Sequence, residues 1–169
     1  MSEISAVGIM SDSHDNMPAI RKAVEILNER KVDLVIHAGD LVAPFTAREL
    51  KKLTSPLIIT FGNNDGEILG LSRVFAGQIF QPPHQIMVNH KKVLILHDPI
   101  LLDQLQQKSD FDVIIYGHLH KVDIRKGKPL IINPGELGGW LEGKSTFVIW
   151  HVETDDVELI ELSVTAHLD

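Results

Sequence analysis

The sequence predicts an α/β fold of two β-sheets packed face to face and covered by helices. Three observations lead there. The first part of the chain alternates short apolar runs with amphipathic segments in the order β-α-β-α-β, which suits a parallel sheet with helices laid on it. The second half is richer in strand-like runs, and a second sheet absorbs them. Five of the apolar runs end in a cluster of histidine, aspartate or asparagine, and open α/β sheets bind ligands at the carboxyl ends of their strands.

The elements follow in order. Ile4–Met10 is a β-rich run. Asn16-Met17-Pro18 reads as a helix start, with Asn16 as N-cap and Pro18 in the first turn. Ile20, Ala23, Val24 and Leu27 then form one apolar stripe, with Arg21, Lys22 and Glu25 facing away. Val32–Ile36 is the second strand, a helix is expected near Pro44–Leu53, and Leu57–Thr60 is the third strand. Gln85–Val88 and Lys92–Leu96 flank Asn89-His90-Lys91 as a hairpin, and Leu101–Lys108 reads as a short helix. Val113–Tyr116, Asp123–Arg125, Leu130–Ile132, Thr146–Val152 and Val157–Leu162 are further strands, with turns at Gly127 and Thr154-Asp155-Asp156. Glu67–Ile79 and Gly135–Glu142 read as loops that shape a substrate pocket.

The 169 residues are expected to form one domain, 1–169. With 44% hydrophobic and 23% charged residues the composition is that of a globular protein. The absence of cysteine excludes disulfides, thiolate metal sites and a cysteine nucleophile, so any metal must sit among nitrogen and oxygen donors. The N-terminus has neither a basic region nor an apolar signal core, and no apolar run approaches the ~20 residues that span a bilayer. A cytoplasmic location without membrane attachment is expected. A net charge of −7 with no basic block argues against gripping long nucleic acid.

Placement of the polar residues is the informative feature. The five strand ends carry Asp12-Ser13-His14, Gly39-Asp40, Gly62-Asn63-Asn64-Asp65, His97-Asp98 and Gly117-His118-Leu119-His120. Parallel strands bring such ends to one edge. Asp12, His14, Asp40, Asn63, His97, His118 and His120 make a donor set too large for one four-coordinate ion. Two ions sharing a carboxylate account for it, with Asp40 as the bridge. Asp12, His14, Asp40 and His120 then hold one metal, and Asp40, Asn63, His97 and His118 the other. Two divalent ions, two carboxylates and one bridging hydroxide leave the site with net positive charge inside an acidic chain. Such a pair clamps a phosphoryl group and activates water. Gly39, Gly62 and Gly117 sit where each strand turns.

Taken in order, D-x-H, G-D, G-N-x-D, a lone histidine and G-H-x-H resemble the calcineurin-like metallophosphoesterases, and Asn133-Pro134-Gly135 resembles a segment of their small prokaryotic phosphodiesterase subgroup. The resemblance spans roughly Ile4 to Gly135. It implies a two-sheet αββα sandwich, manganese as the common activating metal with zinc, iron or nickel as alternatives, and hydrolysis of a small phosphodiester by a metal-bound hydroxide. Phosphomonoester or pyrophosphate hydrolysis on the same site is the alternative within the enzyme class. A catalytically inactive scaffold is the alternative outside it, although such scaffolds lose ligand histidines and none is missing here. Small relatives often associate, so a dimer or larger homo-oligomer is expected.

The chain departs from the family pattern at the catalytic position of the third motif. Asn64 stands where many relatives carry a histidine, and an amide donates a hydrogen bond without delivering a proton. Esters with good leaving groups are therefore the expected substrates. Asp15 and Asp98 replace glycines and add negative charge near the mouth. Each motif alone has a plainer reading as a turn, a cap or a structural histidine. All five together, in family order, do not. His37, His84, His90, His151 and His167 lack partners at ligand spacing and read as structural, Asp65 as a loop-fixing residue. Trp140 suits the core, a cleft or a subunit contact equally.

Overall fold

Strand β1 (Ala6–Met10) shows how the layers arise. Its side chains alternate, so Val7 and Ile9 enter one apolar cluster while Met10 enters another on the opposite face. A strand apolar on both faces belongs in the middle of a sheet covered on both sides. The computed structural model, which describes residues 3–108 and 110–163, has this arrangement.

The chain runs from β1 through helix α1 (Met17–Glu29) to β2 (Leu34–His37), then a 3₁₀ turn (Pro44–Thr46), α2 (Ala47–Leu50) and β3 (Leu57–Thr60). It continues through α3 (Ile68–Val74), β4 (Ile79–Phe80), β5 (His84–Val88), β6 (Lys91–Ile95) and α4 (Leu102–Lys108). It ends with β7 (Val113–Ile115), β8 (Val122–Arg125), β9 (Leu130–Pro134), β10 (Ser145–His151) and β11 (Asp156–Leu162). The first sheet has the order β11-β10-β1-β2-β3-β4, parallel from β1 to β4 with an antiparallel β10–β11 edge. The second has the order β5-β6-β7-β9-β8, with β6, β7 and β9 parallel.

Between the sheets lie Ile9, Ile36, Val93, Ile115, Ile132 and Trp150, all buried. On the outer face of the first sheet Ile20, Val24 and Leu27 of α1 pack with Val35, Leu50 and Ile59. Outside the second sheet α4 lies over Leu94, Ile114 and Ile131. This is the two-sheet αββα sandwich. The side chain of Asn16 caps α1 through the Ala19 N–H, and Pro18 lies in the first turn.

Two segments differ from the sequence reading. Glu67–Ile79 is not a loop: it contains α3 and opens β4. A seven-residue helix with an internal glycine carries too little periodicity to be recognised, and a two-residue strand carries none. The segment Pro44–Leu53 is helical only to Leu50, and its first turn is 3₁₀. His167 lies outside the described residues. Among the described residues no helix is long and apolar enough to cross a membrane.

Candidate metal centre

The five motif-bearing strands come from both sheets. β1, β2 and β3 are parallel neighbours in one, β6 and β7 in the other, and all five end at the same end of the sandwich. Asp12, His14, Asp40, His118 and His120 all have positive φ, between 40° and 68°. That conformation is rare for residues with a Cβ, and it clusters where packing fixes it for a purpose. It turns the chain sharply at each strand end, so that both residues of a D-x-H or H-x-H pair face the same space. The turns need room. A Cβ on Gly62 would lie 2.2 Å from Asp40 Oδ1, and one on Gly117 would lie 1.9 Å from Ser11 Oγ and 2.7 Å from Asp12 Oδ2.

All seven predicted donors come together. Asp12, His14, Asp40 and His120 each place one donor atom within 4.8 Å of the others. His14 Nε2 lies 3.3 Å from His120 Nε2 and 3.5 Å from Asp40 Oδ2, and His120 Nε2 lies 3.5 Å from Asp12 Oδ1. On the other side of Asp40, His97 Nε2 lies 3.4 Å from the same Oδ2 and 2.9 Å from Asn63 Oδ1. His118 Nδ1 is 2.8 Å from Asn63 Oδ1. Two donors on one cation with bonds of about 2.0–2.2 Å can be no more than about 4.4 Å apart, and the individual pair distances just given, from 2.8 to 3.5 Å, satisfy that bound.

Hydrogen bonding at the back of the rings sharpens the fit. His97 Nδ1 faces the Ala38 carbonyl at 2.8 Å and His120 Nδ1 faces the Glu136 carboxylate at 2.8 Å. Both contacts place the proton on Nδ1 and leave Nε2 as a lone pair aimed into the site. There it meets carboxylate oxygen, amide oxygen or another imidazole nitrogen. Lone pairs facing one another repel unless a cation lies between them, so the donor chemistry fits divalent metal.

The buried carboxylates need the same charge. Burial pushes Asp12 up, and the Ser11 hydroxyl (2.6 Å) offsets this only in part. For Asp40 burial also acts upward. When no cation lies between them, a protonated His97 ring and the hydrogen bonds from Asn64 outweigh it and hold the carboxyl well below the usual range. Asn64 donates from its side-chain amide to Asp40 Oδ2 at 2.7 Å and from its backbone to Oδ1 at 2.8 Å. This side chain orients a carboxylate of the candidate donor set, a task its sequence position did not reveal.

The sequence matches the calcineurin-like phosphoesterase superfamily domain over residues 6–155. The chain belongs to that superfamily. It is 37% identical over 163 residues to a phosphodiesterase of Methanocaldococcus jannaschii, covering 92% of this chain and 98% of the relative. An archaeal phosphodiesterase of known structure superposes with a TM-score of 0.86 at 36% identity, covering 93% of this chain and 99% of the other. Vacuolar Protein Sorting 29 of Cryptosporidium parvum superposes with a TM-score of 0.64 at 17% identity over 95% of this chain and 98% of its own, a likeness of fold alone.

Around the calcineurin-like donor set lie residues that the motif reading passed over. Glu136 is fully buried and accepts N–H groups from Trp140, Leu141 and Glu142 besides the His120 contact. Its signal was present in sequence, since it directly follows Asn133-Pro134-Gly135. Asn133 donates to the Gly117 carbonyl, and Asn16 donates to that of Gly138. Asp65 accepts the N–H groups of Gly62, Val42 and Asp40, and so fixes two ligand loops at once. Asp15 and Asp98 accept the N–H groups of Ala43 and Ile100, so each braces its own or a neighbouring loop. Trp140 is half exposed and donates its indole N–H to the His14 carbonyl, which places it at the mouth of the site. His37 is buried against the Ser13 hydroxyl, and burial pulls its pKa to about 3, so it stays uncharged.

Proposed function

We propose that this chain hydrolyses small phosphodiesters at a dinuclear centre. Asp12, His14, Asp40 and His120 hold one divalent cation, and Asp40, Asn63, His97 and His118 hold the other, manganese being the favoured metal. The observation that carries the reading is the position of Asp40 Oδ2, 3.5 Å from His14 Nε2 in one donor group and 3.4 Å from His97 Nε2 in the other. A carboxylate so placed would be within reach of both cations, which supports its role as the bridge. The named activity of the Methanocaldococcus jannaschii relative supports a diester substrate.

When bound, the two cations supply the positive charge that binds phosphoryl oxygens and lowers the pKa of an attacking water. The protein's own contribution is orientation. Ser11 and the His118 N–H hold Asp12, and Asn64 holds Asp40, so the carboxylates keep their geometry with no reorganisation during the reaction. The amide of Asn64 cannot transfer a proton to a departing alkoxide, so the leaving group must be stable as an anion. The test is metal analysis of the purified protein with turnover of bis(4-nitrophenyl) phosphate and 4-nitrophenyl phosphate after adding manganese, zinc, iron or nickel. Metal-dependent cleavage favouring the diester is expected. Absence of turnover on both esters with every metal would falsify the proposal, and faster monoester cleavage would move the substrate class.

A further inference from the structure

A recess of about 620 Å³ opens beside the candidate centre. Leu94 and Leu96 of β6 and its extension form the floor, while Leu101, Leu105 and Phe111 form the side next to α4. His97 and Asp98 stand at one end. These two residues and Pro82 also line a smaller recess of about 160 Å³ that contains Asn63 and Gly62. The apolar recess therefore has one of the seven donors, His97, in its wall, and through His97 it adjoins the smaller recess that holds a second, Asn63.

The lining restricts what enters. Its polar side chains among the described residues are Gln85, His97 and Asp98, with no lysine or arginine. A second phosphate or a carboxylate would meet Asp98 and find no countercharge. A heterocycle with several hydrogen-bonding edges would leave most of them unpaired against leucine and phenylalanine, at a cost for each. An apolar group loses nothing and gains from leaving water. The volume lies within the range of small-molecule sites, which are mostly apolar with a few polar groups at one end.

We propose that this recess seats an uncharged, apolar ester substituent, aromatic or aliphatic, of the phosphodiester held at the metal donors. The inference rests on the phosphodiesterase reading and names its substrate class. Leu96, the residue before His97, and Asp98, the residue after it, both line the recess. One short stretch thus carries both a ligand and the walls of the specificity recess.

Three monoanionic diesters of equal charge provide the test: dimethyl, dibutyl and diphenyl phosphate, as competitive inhibitors of bis(4-nitrophenyl) phosphate cleavage. Burying a butyl or phenyl group should tighten inhibition roughly ten- to a hundredfold over dimethyl phosphate. Whichever of the two binds better tells chain from ring. Leu105→Trp, which fills the recess, should shrink that ratio to under about threefold. Equal inhibition by all three in the wild-type protein overturns the inference, as does an unchanged ratio in a folded Leu105→Trp variant. A second measurement does not depend on catalysis or on that variant. Leucine methyl resonances, recorded with diamagnetic zinc, should shift for Leu94, Leu96, Leu101 and Leu105 on adding diphenyl or dibutyl phosphate. Shifts confined to other leucines, or none, place the substituent elsewhere and refute the proposal. Lack of turnover on any phosphoester removes the phosphodiesterase reading instead, and the methyl shifts still decide whether the recess binds apolar groups.

Discussion

Replacing Glu136 by glutamine should weaken one of the two proposed cation sites and spare the other. The carboxylate is buried, with Oε2 receiving His120 Nδ1 at 2.8 Å and the Trp140 N–H at 3.1 Å. Its Oε1 receives the Leu141 and Glu142 N–H groups at 2.8 and 2.6 Å. Glutamine keeps one oxygen. If that oxygen stays with Leu141 and Glu142, the new amide N–H₂ confronts the Nδ1 proton of His120. The imidazole must then move its proton to Nε2 and lose its ligand lone pair, or give up the bond. A hydrogen bond to a charged group contributes about 1.5–3 kcal/mol, roughly a tenfold to hundredfold change in affinity. Losses of that size are typical when a carboxylate behind a metal-ligating histidine is removed. Calorimetric titration with manganese should show the loss at the site containing His120, with affinity at the Asn63–His97–His118 site unchanged. Unfolding midpoints in chelator control for simple destabilisation. Equal losses at both sites, or affinities within about threefold of wild type in a folded variant, would refute the argument that Glu136 sets the His120 tautomer.

Four further outcomes are expected. Asn64→His introduces an acid that can protonate a leaving group, so the kcat/KM ratio of alkyl to aryl esters should rise about tenfold or more; a ratio that stays put removes leaving-group protonation from the account. Gly117→Ala forces a Cβ to within 1.9 Å of Ser11 Oγ and should cost about 1–3 kcal/mol in urea unfolding together with measurable metal affinity. His37 has a folded pKa of about 3 against 6.5 when unfolded, so the unfolded chain binds the extra proton between those values and stability falls as pH drops from 6.5 toward 3. This residue contributes at most ~1.4 kcal/mol per pH unit, and His37→Gln should flatten that part of the stability–pH curve relative to wild type; parallel curves would show that His37 is not the group responsible. Manganese at a hundred times its Kd should stabilise the protein by about 2.7 kcal/mol over the protein in chelator, read as a rise in melting temperature, and an unchanged melting temperature would contradict binding to the folded state.

Much of this site was legible without coordinates because its donors sit at fixed points of a local pattern. Each follows an apolar run, and the ends of parallel strands gather at one end of their sheet. Asp12, His14, Asp40, Asn63, His97, His118 and His120 could therefore be named, as could the N-cap at Asn16 and the hairpin turn following β5. The short α3 escaped because seven residues hold less than two turns of periodicity. What depended on contacts across the fold could not be read at all. That three donor strands belong to one sheet and two to the other follows from packing between layers. That Asn64 binds Asp40, and that Glu136 reaches back to His120, depends on turns whose positive φ values are imposed by neighbours rather than by local propensity. Sequence alone determined which atoms are available to hold a cation, since residue type sets chemistry and strand periodicity sets position. Tertiary structure alone decided which partner orients each of them and what surface surrounds them, because those are long-range contacts between segments that leave no mark on each other's sequence.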